Sequence, residues 1–443
     1  MSYAMATSPA GMPLDPRRGR EEVLWKVFLC LLMVPFLLAQ HDWNRASEHR
    51  DEINASQEQL LDQVAEGDTS RRAGFLLLAA FGIYGCVHRS GFELRIHGLL
   101  GYLVLLLAAW TVASVLWSDT LWLTGKRLII FSALCLGAAA VSKRCTLDHL
   151  RWWIFGTCST YLLLGIGAEI GLGVFQPLAA DQRFAGTLHP NNQGVNCGLL
   201  ALSGVACAGA AQRHRALLYG GAALGFVFLL LTQSRTSFVS ASLALLTFGW
   251  LCLRPGRRLV LLGAVVILGC LAGLFADVTE PVLEKIAHLN RQDADNSRVP
   301  IWQESLSYLT DRPLTGYGYQ TFWTEQRIDE ISSSQHWGVG EAHSSYVTVL
   351  LELGLVGFTL FVLVLLGALF GTIARYRATR DLGYALLAAL LVFSMLHGIL
   401  ESGSVLATHQ SFILMIAVSH LAFIRPGNDP RQEGSTACVT TPR

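Results

Sequence analysis

Three arginines and one histidine carry the chemistry most worth pursuing in this 443-residue sequence. Arg183 lies in "DQRFAGTLHPNNQG", Arg235 in "LLLTQSRTSF", Arg298 in "NSRVPIWQESLSYLTDRPLTGYGYQTF" and His343 in "GEAHSSYVTVLLELGLVGF". Lys126 and Arg127 add two adjacent cations. A guanidinium presents a planar fork of donors that matches phosphate oxygens. A neutral imidazole can take the proton of an attacking hydroxyl. Brought together, these groups suit transfer of a group from a phosphate to an alcohol. Each residue also has a plainer role open to it. An arginine at the end of an apolar helix often reaches only for headgroups, and His343 could serve as a polar cap, as could Ser344 or Ser345. Glu352 and Glu401 join the set, because an acid within or near an apolar helix must face protein, water or a cation. Glu401 is placed to orient an arginine.

The elements that would position these residues are apolar. The chain is 52% hydrophobic and 15% charged, against about a quarter charged in an ordinary soluble domain. Its apolar residues fall in blocks approaching the ~20 residues that cross a bilayer. Twelve blocks are legible, at 23–40, 73–88, 98–117, 124–141, 152–172, 194–211, 216–232, 236–253, 258–276, 345–371, 382–400 and 406–424. A backbone within lipid must satisfy its own hydrogen bonds, so helices are expected throughout. The first block follows "PRRGRE" without a clear small-residue cleavage site, and reads as a retained span. The fold class is therefore an all-α polytopic membrane protein of about twelve transmembrane helices. A tail at 1–22 precedes nine spans within 23–276, a large partly helical loop fills 277–344, three spans follow in 345–424, and a tail closes at 425–443.

Charge sets the orientation. One set of short connections, including those at Lys143, Arg144, Arg213, Arg215, Arg254, Arg257 and Arg377, holds 20 of the 33 lysines and arginines. By the positive-inside rule this set is cytoplasmic, with both termini. The long segments 41–72 and 277–344 are then outside, in the periplasm of a bacterial inner membrane. Arg183, Arg235, Arg298, Lys126, Arg127 and His343 all fall on that outer side, although they come from five separate stretches. Arg235 is the least easily dismissed. Its turn joins two apolar runs, and an arginine held at mid-bilayer costs roughly 2.5–3.5 kcal/mol. Convergent outer cations point to a polyanion at membrane depth, and a lipid pyrophosphate fits that depth.

Other features narrow the field. A net charge of +1 gives no reason to expect nucleic acid. The ten cysteines sit in apolar blocks or short basic segments, without metal-type spacing, and read as buried apolar residues. No Walker pattern, GxSxG or HExxH occurs. The segment 41–72 reads as a solvated hairpin. In the large loop, Asn296 or Ser297 is placed to cap a short helix with Val299, Trp302, Leu306 and Leu309 on one face, lying on the membrane surface. Gly316 and Gly318 are expected to serve backbone geometry. Asp293 and Asp295 have a DxD spacing that can hold a divalent cation, but acids at that place also favour a helix N-terminus. No metal or nucleotide cofactor is expected. A transporter is the competing class, and would show repeat symmetry and interrupted helices. No convincing internal repeat is present.

The four quoted blocks, in this order, resemble the O-antigen ligase and polymerase superfamily over residues 180–360, with the ligases the nearest likeness. That resemblance implies a GT-C-like inner-membrane glycosyltransferase acting on the periplasmic face. It implies undecaprenyl pyrophosphate-linked O-antigen as donor and the lipid A–core oligosaccharide as acceptor, with metal-free inversion at the anomeric carbon. It carries essential roles onto Arg183, Arg235, Arg298 and His343. Lys126 and Arg127 are further donor contacts, with Tyr346, Asn191 and Glu401 in support. O-antigen polymerases and protein O-oligosaccharyltransferases share the same residue logic. In this scheme His343 is the base, and nearby guanidinium charges are expected to keep its ring neutral.

Overall fold

Apolar blocks become helices in the computed structural model, which describes residues 27–40, 69–88, 91–177, 183–258, 298–336 and 338–424. Among these residues the chain is helix and loop, with no strand. In order, the helices are α1 (Met33–Gln40), α2 (Thr69–Val87), α3 (Gly98–Ala113), α4 (Leu121–Arg144), α5 (Leu147–Gly171), α6 (Pro190–Ala210), α7 (Arg215–Leu231), α8 (Arg235–Cys252), α9 (Arg298–Ser307), α10 (Glu325–Gln335), α11 (Ser345–Thr379), α12 (Leu382–Leu400) and α13 (His409–Phe423). Six helical segments among the described residues are long and apolar enough to cross a membrane: Gly98–Trp117, Leu121–Arg144, Leu147–Gly171, Pro190–Ala210, Ser345–Thr379 and Leu382–Leu400. All but the first residue of the expected span 258–276 lies outside the described residues, as do most of the 41–72 hairpin, both tails, Asp293, Asp295, and the proposed caps Asn296 and Ser297.

Local chemistry sets the ends of several helices. His189 caps α6, its Nδ1 accepting from Asn191 N at 3.2 Å, and Pro190 follows in the first turn, where its missing N–H costs nothing. Thr408 caps α13 with a reciprocal bond to Ser411. Ser344, not His343, caps α11, its hydroxyl accepting from Val347 N. The capping role for His343 is therefore already filled.

Helix α6 is the buried axis of the bundle, with α5, α7, α8 and α12 packed around it. Gly194 and Gly198 lie one turn apart on the face that meets Ser237 and Ala241 of α8. Small residues at this spacing let two backbones approach closely where lipid supplies no hydrophobic drive. This contact seats the first turn of α8, which begins with Arg235, against the first turn of α6.

Helix α11 is interrupted. Gly354 has φ 65° and ψ −170°, which breaks the i→i−4 ladder. The loop 313–318 fills the break. Tyr317 N donates to Leu351 O at 3.0 Å, Gly318 N to Glu352 O at 2.8 Å, and Leu355 N donates back to Pro313 O at 2.8 Å. Carbonyls that the break would leave unpaired are thus satisfied by another segment, as a nonpolar environment demands. Gly316 (φ 64°) lies directly on this seam, where a Cβ would meet the α11 backbone. The glycines of "GYGYQTF" therefore serve backbone approach, as expected, whereas the break itself was not anticipated.

The same loop has its own small core. Ile301, Tyr317, Phe322, Trp323, Ile328, Ile331, Val339 and Ala342 bury one another beneath Leu351. Helix α9 forms near its expected position but presents a different face. Ile301 and Ser305 are buried, while Val299 is half exposed and Trp302 donates to Ala342 O at 2.7 Å. The expected apolar stripe is part of a folded loop module, in which α10 (capped by Thr324) packs against α9. Asp119 ties the module to the α3–α4 connection. Arg312 Nη2 meets its Oδ1 at 2.6 Å and Arg327 Nη2 its Oδ2 at 2.9 Å, with Arg327 lying over the Tyr317 ring.

Candidate active site

The first turns of α6, α8, α9 and α11, the last turn of α12 and the loop after it meet at one end of the bundle. Glu169 of α5 prepares this region. Its Oε1 accepts from Ala185 N (3.1 Å) and Gly186 N (2.8 Å), and so fixes the turn that carries Arg183. Phe184 N bonds Leu231 O at the end of α7. Arg183 then donates from Nε to Thr232 O at 3.0 Å and from Nη2 to Asn191 Oδ1 at 2.8 Å.

Asn191 and Glu401 extend this contact into a chain. Asn191 Nδ2 donates to Glu401 Oε1 at 2.9 Å, and Arg298 Nη2 meets the same oxygen at 2.7 Å. Two arginines 115 positions apart in sequence are thereby joined through one amide and one carboxylate. The backbone carbonyl of Glu401 accepts from Ser345 N and Ser345 Oγ, at 3.1 and 2.9 Å. This pins the start of α11, and with it His343.

His343 sits at φ 48°, in the left-handed region that non-glycine residues seldom adopt. Its Nδ1 lies 3.2 Å from Glu341 Oε1. With Nδ1–H donated to that carboxylate, Nε2 carries the lone pair. Burial opposes charging of the imidazole, but Glu341 and Glu401 together outweigh it, and the pKa of His343 is raised. Burial likewise opposes ionisation of Glu341, but His343, with Ser402 and His189, outweighs it, so its carboxyl is held below the usual carboxylate range. The expectation that guanidiniums keep His343 neutral is thus corrected. Arg298 does disfavour the imidazolium, but an acid two residues away in the chain acts more strongly in the other direction. Burial raises the Glu401 carboxyl, with Arg298 opposing.

The other expected residues separate into two groups. Arg235 opens α8 three residues after Thr232, the acceptor of Arg183, and Ser237 in its first turn lies 3.4 Å from Asn191 O and 3.3 Å from His397 Nε2. Arg235 therefore starts its helix beside the Arg183–Asn191 link. Lys126 instead lies over the Trp122 ring at 5.0 Å, and Arg127 interacts with Glu352 and Tyr319. Tyr346 donates to Met395 O at 3.0 Å, bracing α11 on α12. Sequence reasoning missed Glu341, Glu169, His397 and Ser237. Glu169 is an acid in an apolar span, and the rule that marked Glu352 would have marked it too. Glu341 stood in the quoted block, two residues from the imidazole. Among the described residues, no group of three His, Cys, Asp or Glu side chains could hold a metal ion.

The fold and site define a helical membrane protein with arginines, one carboxylate and a histidine–glutamate pair gathered at one end. The family model described as O-antigen ligase matches residues 220–362, which include Arg235, Arg298, Glu341 and His343. The exopolysaccharide production protein ExoQ of Rhizobium meliloti (strain 1021) is 27% identical over 166 residues. That match spans 35% of this chain and 38% of the relative, a little over a third of each. Together the two matches support placing the chain in the O-antigen ligase and polymerase superfamily. Arg183, Asn191 and Glu401 lie outside the family-model match and reach the site only through the fold.

Proposed function

We propose that the protein is a glycosyltransferase that moves O-antigen polysaccharide from undecaprenyl pyrophosphate to the lipid A–core oligosaccharide, at the periplasmic face of the inner membrane. The observation that carries this reading is the Arg183–Asn191–Glu401–Arg298 chain beside the His343–Glu341 pair. It gathers donors for an anion and a base for a hydroxyl at one end of a membrane bundle.

In this reaction the acceptor hydroxyl oxygen attacks the anomeric carbon of the donor sugar. The bond from that carbon to the pyrophosphate oxygen breaks, and its electron pair leaves with the lipid pyrophosphate. The hydroxyl proton passes to His343 Nε2, and attack opposite the leaving group inverts the anomeric centre. Arg183, Arg235 and Arg298 stabilise charge as it grows on the leaving oxygen. Fixed donors of this kind are each worth about 3–4 kcal/mol. Glu341 orients the imidazole and raises its basicity, as the carboxylate does in other histidine–acid pairs. Guanidinium stabilisation stands in for a divalent ion, so transfer is expected to persist in chelator.

A second reading is favoured by the likeness to an exopolysaccharide production protein: a polymerase that uses the same donor chemistry and joins the glycan to another lipid-linked glycan. Purified protein supplied with lipid-linked O-antigen and rough lipopolysaccharide, with and without EDTA, tests both. Glycan on the core supports the ligase. Lengthened lipid-linked chains with an unmodified core support the polymerase. No transfer to either acceptor rejects both readings.

A further inference from the structure

Helices α8 and α11 both run away from the candidate active site, and their far ends enclose a second polar feature. A pocket of about 280 Å³ is lined there by Trp250, Leu251, Arg258, Tyr376, Arg377 and Arg380. The 18 residues of α8 place it about 25 Å from the site, at 1.5 Å of rise per residue. It plays no part in the chemistry above.

Its lining is built for an anion. Arg258 is braced by its own backbone, Nε donating to Leu253 O at 3.0 Å, with its guanidinium 5.4 Å from the Trp250 ring centre. Arg380 lies over the Tyr376 ring at 5.7 Å. Arg377 is exposed at the rim. Among the described residues none of the three forms an ion pair with a carboxylate. Asp381, next in sequence to Arg380, turns its Oδ1 instead to Gly383 N. The neighbouring Arg375 is not part of the lining, and its Nη2 donates to Leu421 O at 2.7 Å. Three guanidiniums thus line one small cavity with no ion-paired carboxylate among the described residues. Trp250 is 41% exposed on the same wall, and an indole so placed favours the level of the headgroups.

We propose that this pocket binds the phosphate of an anionic lipid headgroup, in the leaflet opposite the candidate active site. Basic pockets between membrane helices recognise such headgroups through several cations at once, each worth about fivefold in affinity. The arginine forks take the phosphate oxygens, Trp250 and Tyr376 flank the headgroup, and the acyl chains lie along α8.

Detergent-purified full-length protein, titrated with phosphatidylglycerol, cardiolipin or phosphatidylcholine and read by native mass spectrometry, tests the proposal. Wild-type protein is expected to retain the two anionic lipids over phosphatidylcholine by at least tenfold. The R258Q/R377Q/R380Q variant is expected to lose that preference, while R258K/R377K/R380K keeps part of it. Displacement of bound lipid by millimolar inorganic phosphate would assign the same pocket to soluble phosphate. Failure of phosphate to compete assigns it to lipid. Should the triple glutamine variant misfold, Arg377→Gln alone decides, with a severalfold loss expected. Undiminished anionic-lipid retention in Arg377→Gln and in any folded triple variant would overturn the proposal. Glycan transfer reports on the opposite end of the bundle, so failure of one reading leaves the other intact.

Discussion

Two arginine–carboxylate clusters are built in opposite ways. At Asp119 the arrangement is parallel: each carboxylate oxygen has its own guanidinium, from Arg312 and Arg327, and Tyr317 lies beneath. At Glu401 the arrangement is serial: Arg298 and Asn191 share one oxygen, and the far end of the same amide holds Arg183. A parallel clamp has spare links and is suited to holding a loop in place. In a serial chain each link positions the next, so one lost contact misplaces groups some distance away. That is the cost of a site assembled from distant stretches of sequence, and it makes the two clusters separable by mutation.

The largest expected effect is at the base. His343→Ala is expected to lower transfer by about 10²–10⁴ while leaving retention of lipid-linked donor largely unchanged; full activity would remove the base assignment. Arg183→Ala and Arg235→Ala should lower transfer by roughly 10²–10³, and also weaken donor binding in the same assay. Glu401→Gln tests the serial arrangement itself. Loss of a charge-assisted bond of about 1.5–3 kcal/mol predicts a ten- to hundredfold fall in transfer. Its combination with Arg298→Ala should cost little more than either change alone, because both break the same link; additive losses would show that the links act independently.

Glu341→Gln gives a smaller and more specific effect. Glu341 raises the His343 pKa, and the base works only when neutral. Activity should therefore fall on the acid side as pH drops through a value above that of an ordinary imidazole. Removing the carboxylate should shift that limb to lower pH and lower the plateau; an unmoved limb would place the titration elsewhere. Asp119→Asn is expected to matter least. Asp119 and Arg312 are each about a third exposed and Arg327 is 15% exposed, so loss of the two pairs, about 1–2 kcal/mol, should appear as a lower melting temperature with transfer retained.

The comparison also marks what a reader of the sequence can and cannot recover. Helix positions were legible because apolar length and hydrogen-bond necessity leave few alternatives. Arg183, Arg298 and His343 are legible as polar groups at helix ends, and Glu401 as a partner for an arginine. The partnerships themselves were less so. Nothing in "HPNNQG" states that Asn191 rather than Asn192 spans Arg183 and Glu401. Glu341 was passed over because its effect depends on a tight left-handed turn at His343 that no local propensity demands. Arg127 was grouped with the donor contacts because its side of the membrane matched, yet Glu352 on α11 is its neighbour. Charge gives an expectation of sidedness, whereas lateral position within one end of the bundle follows from packing.

The break at Gly354 makes the loop 313–318 and α11 a single piece of architecture. Peptide groups from 313–318 act as the missing rungs of that helix, so neither segment is complete without the other. Loop exchange between relatives is therefore constrained by a splice point inside the helical bundle: a donor loop must arrive together with the interrupted helix it completes, or the recipient is left with buried carbonyls unpaired.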